Sequence, residues 1–184
     1  WLDCEENELT ALDVSKNTLL ITLSCYNNQL TALDVSQNTI LKELRCYYNQ
    51  ITALDVTKNA ALENQYCYDN KLTTLDVTNN SALTHLSCGE NQLTELDLTQ
   101  NSLLYWLTCP KNQLIALDVS QNTKLYRLCV NEHQLASIDV SKCPELYYLE
   151  CYKNQLTALD VTKQVAMNYL ECRENLITEL DLSH

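Results

Sequence analysis

Apolar residues recur along this chain with a fixed period of 21 residues, without insertions or deletions. One full unit, from Leu20 to Ile40, reads LITLSCYNNQLTALDVSQNTI. Its apolar columns are represented by Leu20, Leu23, Cys25, Leu30, Leu33 and Val35. A period this strict indicates a repeat architecture in which each unit is too small to fold alone and stacks on its neighbours to share a continuous core.

Alternation within the unit predicts extended segments rather than helices. Leu23-Ser24-Cys25 alternates inward and outward, which indicates a short strand, and Leu33-Asp34-Val35 predicts a second extended segment on the return side. The return stretch VSQNT has no apolar residues at helical spacing, and a single Gly in the chain argues against hairpin turns. The pattern predicts one domain over residues 1–184: a parallel solenoid of about eight and a half repeats without caps.

A polar column follows the predicted strand in the pattern L-x-x-L-x-C-x-x-N-x-L. The column holds Asn7, Asn28, Asn49, Asn70, Asn91, Asn112, Asn154 and Asn175. A buried Asn at a turn can both donate to and accept from the backbone of neighbouring coils. His133 is the one departure, and we predict that it performs part of the same structural role.

Eight of the ten cysteines share one inward column. They are Cys4, Cys25, Cys46, Cys67, Cys88, Cys109, Cys151 and Cys172. Equivalent side chains on parallel strands point the same way, so we predict a ladder of reduced thiols rather than disulfides or zinc ligands. Cys129 falls one place earlier than the column, which predicts a solvent-exposed, reactive thiol. Cys143 replaces an Asn of the return segment.

A column of Asp residues supplies nine of the 24 acidic residues in a chain of net charge −12. It comprises Asp13, Asp34, Asp55, Asp76, Asp97, Asp118, Asp139, Asp160 and Asp181. Because a Ser or Thr follows each Asp two residues later, local hydrogen bonds are the favoured explanation, and calcium between coils is the alternative. We predict no metal and no cofactor. The acidity disfavours nucleic acid and anionic membranes as partners, and no apolar run approaches the ~20 residues that span a bilayer.

Units such as LTHLSCGENQLTELDLTQNSL are similar to the cysteine-bearing leucine-rich repeats of the internalin family of bacterial surface proteins. The resemblance covers the whole chain. It implies a curved right-handed coil with the parallel sheet on its concave face, and an extracellular, cell-surface parent protein used for adhesion. The chain begins within a unit at Trp1 and ends at His184, so we expect a segment of a larger protein. Apolar residues such as Leu2 and Leu182 at its uncapped ends predict end-to-end self-association.

The columns beside the strand vary from unit to unit, whereas the return columns are nearly constant. All eleven Tyr and both Trp lie in or beside these variable columns, and Phe is absent. Tyr, Trp and Arg are typical of recognition surfaces. We therefore predict a ligand-binding surface made of Tyr47, Tyr66, Tyr68, Trp106, Arg127, Tyr148, Tyr152 and Tyr169.

Structural support of the sheet is the alternative for part of this set. Tyr26, Tyr47 and Tyr68 form one unbroken column, and Tyr105, Tyr126 and Tyr147 form another, so stacking between strands could account for both. Gln65 occupies an inward Leu column, where its buried amide needs partners.

The predicted function is that of a non-catalytic adhesin module that binds a surface protein of a host or neighbouring cell. A glycan-binding surface is the first alternative, since sugars stack on Trp and Tyr rings and bind carboxylates such as Glu150 and Glu171. A structural spacer is the second alternative. An enzyme is disfavoured because those two carboxylates are predicted to lie on an exposed sheet rather than in a cleft.

Overall fold

Nine short strands form a single parallel sheet in the computed structural model, which describes residues 1–183. Each strand pairs with its equivalent 21 residues away, so that Leu23 lies opposite Leu44 and Trp106 lies opposite Arg127. The strands, in chain order and in sheet order, are β1 Leu2–Asp3, β2 Thr22–Ser24, β3 Glu43–Arg45, β4 Asn64–Tyr66, β5 His85–Ser87, β6 Trp106–Thr108, β7 Arg127–Cys129, β8 Tyr148–Glu150 and β9 Tyr169–Glu171. Residues 1–183 contain no helix. The predicted parallel solenoid is confirmed.

The core consists of the inward columns stacked from coil to coil. Leu44, Cys46, Ile51 and Val56 are completely buried, as are their equivalents through the middle of the chain. Each Leu buried in this way contributes about 1.5–3 kcal/mol relative to an exposed side chain. The segment around Leu33–Val35 is not a second sheet; it is an irregular return that still places Val35 in the core.

The cysteines form the predicted ladder of reduced thiols. All ten are unpaired, and those of the inward column are buried except at its two ends, Cys4 and Cys172. Burial raises the pKa of Cys25 and of Cys67 to about 12, because a thiolate would lose its hydration there. Cys25 and Cys67 are therefore neutral thiols that pack as small apolar side chains.

Each turn Asn stabilises two coils at once, as predicted. The Asn49 amide donates to the carbonyls of Cys25 at 3.0 Å and Cys46 at 3.1 Å, and its Oδ1 accepts from the Leu30 amide at 3.0 Å. The residue before the Asn has a left-handed backbone in every coil, with φ between 51° and 59°, and none of the nine is Gly. A left-handed non-Gly residue costs about 1 kcal/mol, which the Asn hydrogen bonds offset.

A second Asn column lies fully buried on the return side and was not predicted. It consists of Asn38, Asn59, Asn80, Asn101 and Asn122. The Asn59 amide donates to the carbonyls of Val35 and Asn38, both at 2.9 Å, and so joins its coil to the preceding one. Cys143 and Gln164 occupy this column in the last coils. The sequence signal was the recurrence of Asn four residues after each of the first six periodic Asp residues.

The Asp column lies on the surface and forms the expected local hydrogen bonds. The Asp55 Oδ1 accepts from the Thr57 hydroxyl at 2.6 Å and from the Thr57 amide at 2.9 Å. These two bonds, the hydroxyl first, lower the pKa of Asp55 below its ordinary value. Residues 1–183 hold no group of three His, Cys, Asp or Glu side chains placed to bind a metal ion. They also include no helix long and apolar enough to cross a membrane.

Two expectations about individual residues were wrong. Cys129 is buried rather than exposed, because the Arg127 side chain covers it with Nε 3.3 Å from Sγ. Burial raises the pKa of Cys129 to about 11, so the thiol is protonated and shielded. His133 is buried in the turn column, but neither ring nitrogen has a hydrogen-bond partner of good geometry in residues 1–183, so it does not replace Asn there. Gln65 is buried as predicted, and its Oε1 is also unpartnered.

Candidate binding surface on the sheet

The strands present two outward side chains and one inward side chain each. In β6, Leu107 is buried, while Trp106 and Thr108 face outward. Because the sheet is parallel and in register, residues of one column lie side by side on neighbouring strands. The variable columns of the sequence therefore become continuous rows across one face, which we call the sheet face.

The first outward position of the last four strands carries a stacked row, which we call the anchor row: Trp106, Arg127, Tyr148 and Tyr169. The Arg127 guanidinium carbon lies 4.8 Å from the centre of the Trp106 ring and 4.0 Å from that of Tyr148. The Tyr148 and Tyr169 rings stack at 4.2 Å with an angle of 3° between their planes. Cation–π contacts of this kind contribute about 0.5–2 kcal/mol each, so the row is a connected structure rather than four independent side chains.

Each member of the anchor row is also held by the residue two places further along its strand. The Trp106 Nε1 donates to the Thr108 hydroxyl at 2.8 Å, and the Tyr169 hydroxyl donates to Glu171 at 3.0 Å. The Tyr148 hydroxyl donates to the Glu150 carboxylate in the same way.

These contacts keep the tyrosines protonated. Burial and the Glu150 hydrogen bond raise the pKa of Tyr148, while the Glu171 hydrogen bond raises that of Tyr169. Side chains fixed before binding lose less conformational entropy when a ligand arrives.

A depression of about 560 Å³ opens in the sheet face beside the anchor row. Tyr66 and Trp106 line it on either side of β5, and the small Ser87 lies between the strands that carry them. Gly89 interrupts the Tyr column after Tyr68. A Cβ at Gly89 would lie only 2.7 Å from the Pro110 ring, so glycine is required there by close packing rather than by backbone angles.

In two columns, tyrosine rings of neighbouring coils stack on one another, as predicted for side chains that support the sheet. Tyr47 lies 4.3 Å from Tyr26 and 4.4 Å from Tyr68, with the rings nearly parallel. Tyr105, Tyr126 and Tyr147 stack at 5.0 and 4.9 Å. Tyr47 and Tyr68 thus support the sheet and also line the depression.

The predicted ligand-binding residues fall into three groups. Those that line the depression are Tyr47, Tyr66, Tyr68, Trp106 and Arg127. Tyr148 and Tyr169 extend the anchor row beyond it. Tyr152 lies apart, under the Arg173 guanidinium at 4.4 Å. The depression is also lined by residues of the same variable columns that were not among those predicted: Arg45, His85, Ser87 and Thr108.

The charged lining of the depression is cationic, although the chain as a whole carries −12. Arg45 is neutralised by Glu43, with a nitrogen–oxygen distance of 2.7 Å. Burial lowers the pKa of His85, so this ring is neutral near pH 7. Arg127 is therefore the one charged lining residue without an ion pair among residues 1–183.

Comparison with solved structures gives three informative matches. The functional domain of internalin J from Listeria monocytogenes, which includes a cysteine ladder, is 32% identical with a TM-score of 0.74; the match covers 98% of this chain and 50% of that one. Internalin F from the same species is 25% identical with a TM-score of 0.77, over 87% of this chain and 51% of that one. A leucine-rich-repeat protein from Leptospira interrogans is 22% identical with a TM-score of 0.90, over 97% of this chain and 50% of that one. At this identity the match shows the fold alone.

This chain spans about half the length of those three structures. No family profile matches the sequence. A sequence search of curated proteins also finds no match. The repeats are internalin-like leucine-rich repeats with a cysteine ladder, as the resemblance implied.

Proposed function

We propose that this internalin-like array is the non-catalytic binding module of a bacterial cell-surface adhesin and recognises a protein ligand through the sheet face. The observation that carries the proposal is the anchor row, in which Trp106, Arg127 and Tyr148 are stacked and partly exposed beside a depression. These are the three residue types that most often dominate binding energy at protein interfaces. The internalin resemblance supports the extracellular, cell-surface location.

The geometry favours a protein ligand over a glycan. Sugar rings bind to open aromatic faces, but Tyr148 is covered by Arg127 on one face and stacks on Tyr169 with the other. Glu150 and Glu171, which would hydrogen-bond to sugar hydroxyls, already accept from these two tyrosines. The row presents ring edges and donor groups, which suit the mixed side chains of a protein surface.

The same contacts support a non-catalytic role. A general acid or base needs a carboxylate that is free to exchange a proton with a substrate in a sheltered site. Glu171 is bound by Arg173, which with the Tyr169 hydroxyl lowers the pKa of this carboxyl. Arg173 is exposed and Glu171 is partly exposed, so the pair is not in a sheltered site. A structural spacer would not need the sheet-face columns to change from coil to coil while the return columns stay constant.

The direct experiment compares the wild-type chain with the double variant Trp106→Ala/Tyr148→Ala on a panel of extracellular proteins and oligosaccharides. We expect a protein on the panel to bind the wild type, and the double variant to bind at least about 100-fold more weakly, because each interface anchor contributes about 2 kcal/mol or more. Thermal unfolding serves as the folding control.

Unchanged binding by the folded double variant would overturn the proposal, and binding only to oligosaccharides would favour the glycan alternative. The matched control is Lys124→Ala/Gln121→Ala. It removes two exposed side chains from a return segment and should not change binding.

A further inference from the structure

We infer that the depression beside the anchor row accepts the carboxylate of an acidic side chain on the protein ligand, and that Arg127 binds it. This inference rests on the proposed function and adds the chemical identity of the ligand group. Its basis is the juxtaposition of an unpaired guanidinium, a depression with no acidic lining, and rings that hold the guanidinium in place.

The stacking of Arg127 restricts the directions in which it can bind. Its N–H donors lie in the guanidinium plane. The rings of Trp106 and Tyr148, on the strands either side of β7, flank the guanidinium carbon at 4.8 and 4.0 Å. The Nε–H is used internally, since it donates to the Cys129 sulfur at 3.3 Å. The two terminal Nη groups make no hydrogen bond within residues 1–183. A planar pair of donors fixed in this way matches the two oxygens of a carboxylate.

Arg127 differs from the other two arginines of the chain in lacking an acidic partner. Arg45 is bound to Glu43 at 2.7 Å, and Arg173 is bound to Glu171 at 2.6 Å. Within residues 1–183 no carboxylate oxygen lies within 4.0 Å of the Arg127 guanidinium. Its neighbour on the next strand is Tyr148, and Glu150 in that strand is bound by the Tyr148 hydroxyl. The site is therefore complementary to an anion that the chain itself does not supply.

The charge of the depression selects a single carboxylate rather than a phosphate. Only one net positive charge is available, because Glu43 neutralises Arg45 and His85 is neutral. The rest of the lining consists of aromatic rings, Leu86 and the hydroxyls of Ser87 and Thr108. Since the whole chain carries −12, a strongly acidic partner would be repelled. The expected ligand segment has one Asp or Glu flanked by apolar or basic residues.

Two peptide pools of nine residues test this inference. One has Glu at the centre, and the other has Gln there, with the same randomised flanks of Leu, Tyr, Ser and Lys. Binding is followed through Trp106 fluorescence in a Trp1→Phe background, because Trp1 is the only other Trp and is highly exposed. We expect the Glu pool to bind about 10-fold or more tightly than the Gln pool, as a charge-assisted bidentate pair is lost with Gln.

Three variants locate the preference. Arg127→Gln should reduce the ratio of the affinities for the Glu and Gln pools to about one. Arg127→Lys should keep only part of the wild-type ratio, because Lys lacks the planar pair of donors. Ser87→Asp, which adds a carboxylate to the lining, should also reduce this preference because it cancels the net positive charge of the depression. The control Arg173→Gln removes an arginine that is already paired and should leave the ratio unchanged.

The inference is wrong if the two pools bind equally to the wild type, if neither pool changes the Trp106 signal, or if the Glu preference survives Arg127→Gln. It is also wrong if a sialylated oligosaccharide displaces the Glu pool more effectively than free Glu peptides do. Equal binding of both pools that is lost in Trp106→Ala/Tyr148→Ala would leave the proposed function intact and remove only the carboxylate assignment.

Discussion

The buried Asn columns and the sheet-face columns repeat with the same period but obey different rules. On the return side, Asn59, Asn80 and Asn101 are completely buried and make the same two backbone hydrogen bonds in each coil. On the sheet face, the first strand position changes from Thr22 to Trp106 to Arg127 along the array. The backbone carbonyls repeat in every coil and need a hydrogen-bond donor at this position, which Gln164 also supplies, whereas a surface position is free to vary.

The difference separates stability from recognition. A substitution in a buried polar column removes hydrogen bonds that nothing else can replace. A substitution on the sheet face removes packing that solvent replaces at smaller cost. We therefore expect the two sets of columns to respond differently to mutation, and the following three predictions test that expectation in order of effect size.

The largest loss of stability should follow Asn80→Ala. The Asn80 amide donates to the carbonyls of Val56 at 3.0 Å and Asn59 at 2.8 Å, both inside the solenoid. Losing both bonds should lower the free energy of unfolding by about 2–3 kcal/mol. Each carbonyl then keeps only the bond that it accepts from a backbone amide. Urea denaturation followed by circular dichroism measures the change. The matched control is Asn79→Ala, an exposed neighbour that should change it by less than about 0.5 kcal/mol. Equal effects would contradict the structural role of the column.

A gain in stability should follow His133→Asn, because this change restores the turn column. In the preceding coil, Asn112 donates to the carbonyls of Cys88 and Cys109 at 3.0 Å each and accepts from the Leu93 amide at 2.9 Å. His133 makes none of the equivalent bonds. We expect the free energy of unfolding to rise by about 1–2 kcal/mol.

The melting temperature of His133→Asn measures this gain, with His85→Asn on the sheet face as the control. A fall in melting temperature for His133→Asn would contradict this prediction. It would show that the packing of the imidazole stabilises the fold more than the hydrogen bonds of an Asn would.

The smallest effect should follow Tyr126→Ala, in the tyrosine column that borders the sheet face. Tyr126 loses two stacking partners, Tyr105 and Tyr147, and the expected cost is about 1 kcal/mol of unfolding free energy. Ligand binding should stay within about twofold, because this column supports the sheet and does not line the depression. Tyr105→Ala, which sits at the end of the column, should cost less. Loss of binding in Tyr126→Ala would extend the ligand surface beyond the anchor row.

Much of the fold follows directly from the sequence because the period is fixed. Once the columns are aligned, the parallel register, the thiol ladder and the turn Asn hydrogen bonds all follow from the rule that equivalent residues are neighbours. The buried return Asn column follows from the same rule, but the polar composition of VSQNT gives no sign that its Asn is buried.

The side-chain geometry of the sheet face could be predicted only in part. Column order places Trp106, Arg127 and Tyr148 on adjacent strands, but it does not show that the guanidinium lies between the two rings. Cys129 was expected to be exposed because outward positions of a strand normally are; the long Arg127 side chain covers it instead. The column position determines the direction of the Cβ, whereas the solvent exposure of the side chain also depends on whether a long neighbouring side chain covers it.

The most direct test of the separation between scaffold and recognition surface replaces the whole anchor row by the residue found at the same position in β2. The variant Trp106→Thr/Arg127→Thr/Tyr148→Thr/Tyr169→Thr keeps every constant column and uses a residue that the array already accepts as Thr22. Its melting curve and its binding to a ligand identified with the wild type are measured together. We predict cooperative unfolding, with a melting temperature lower by about 5–10 °C because the stacking of the row is lost, and no detectable binding. A folded variant that still binds, or one that no longer folds, would contradict the account.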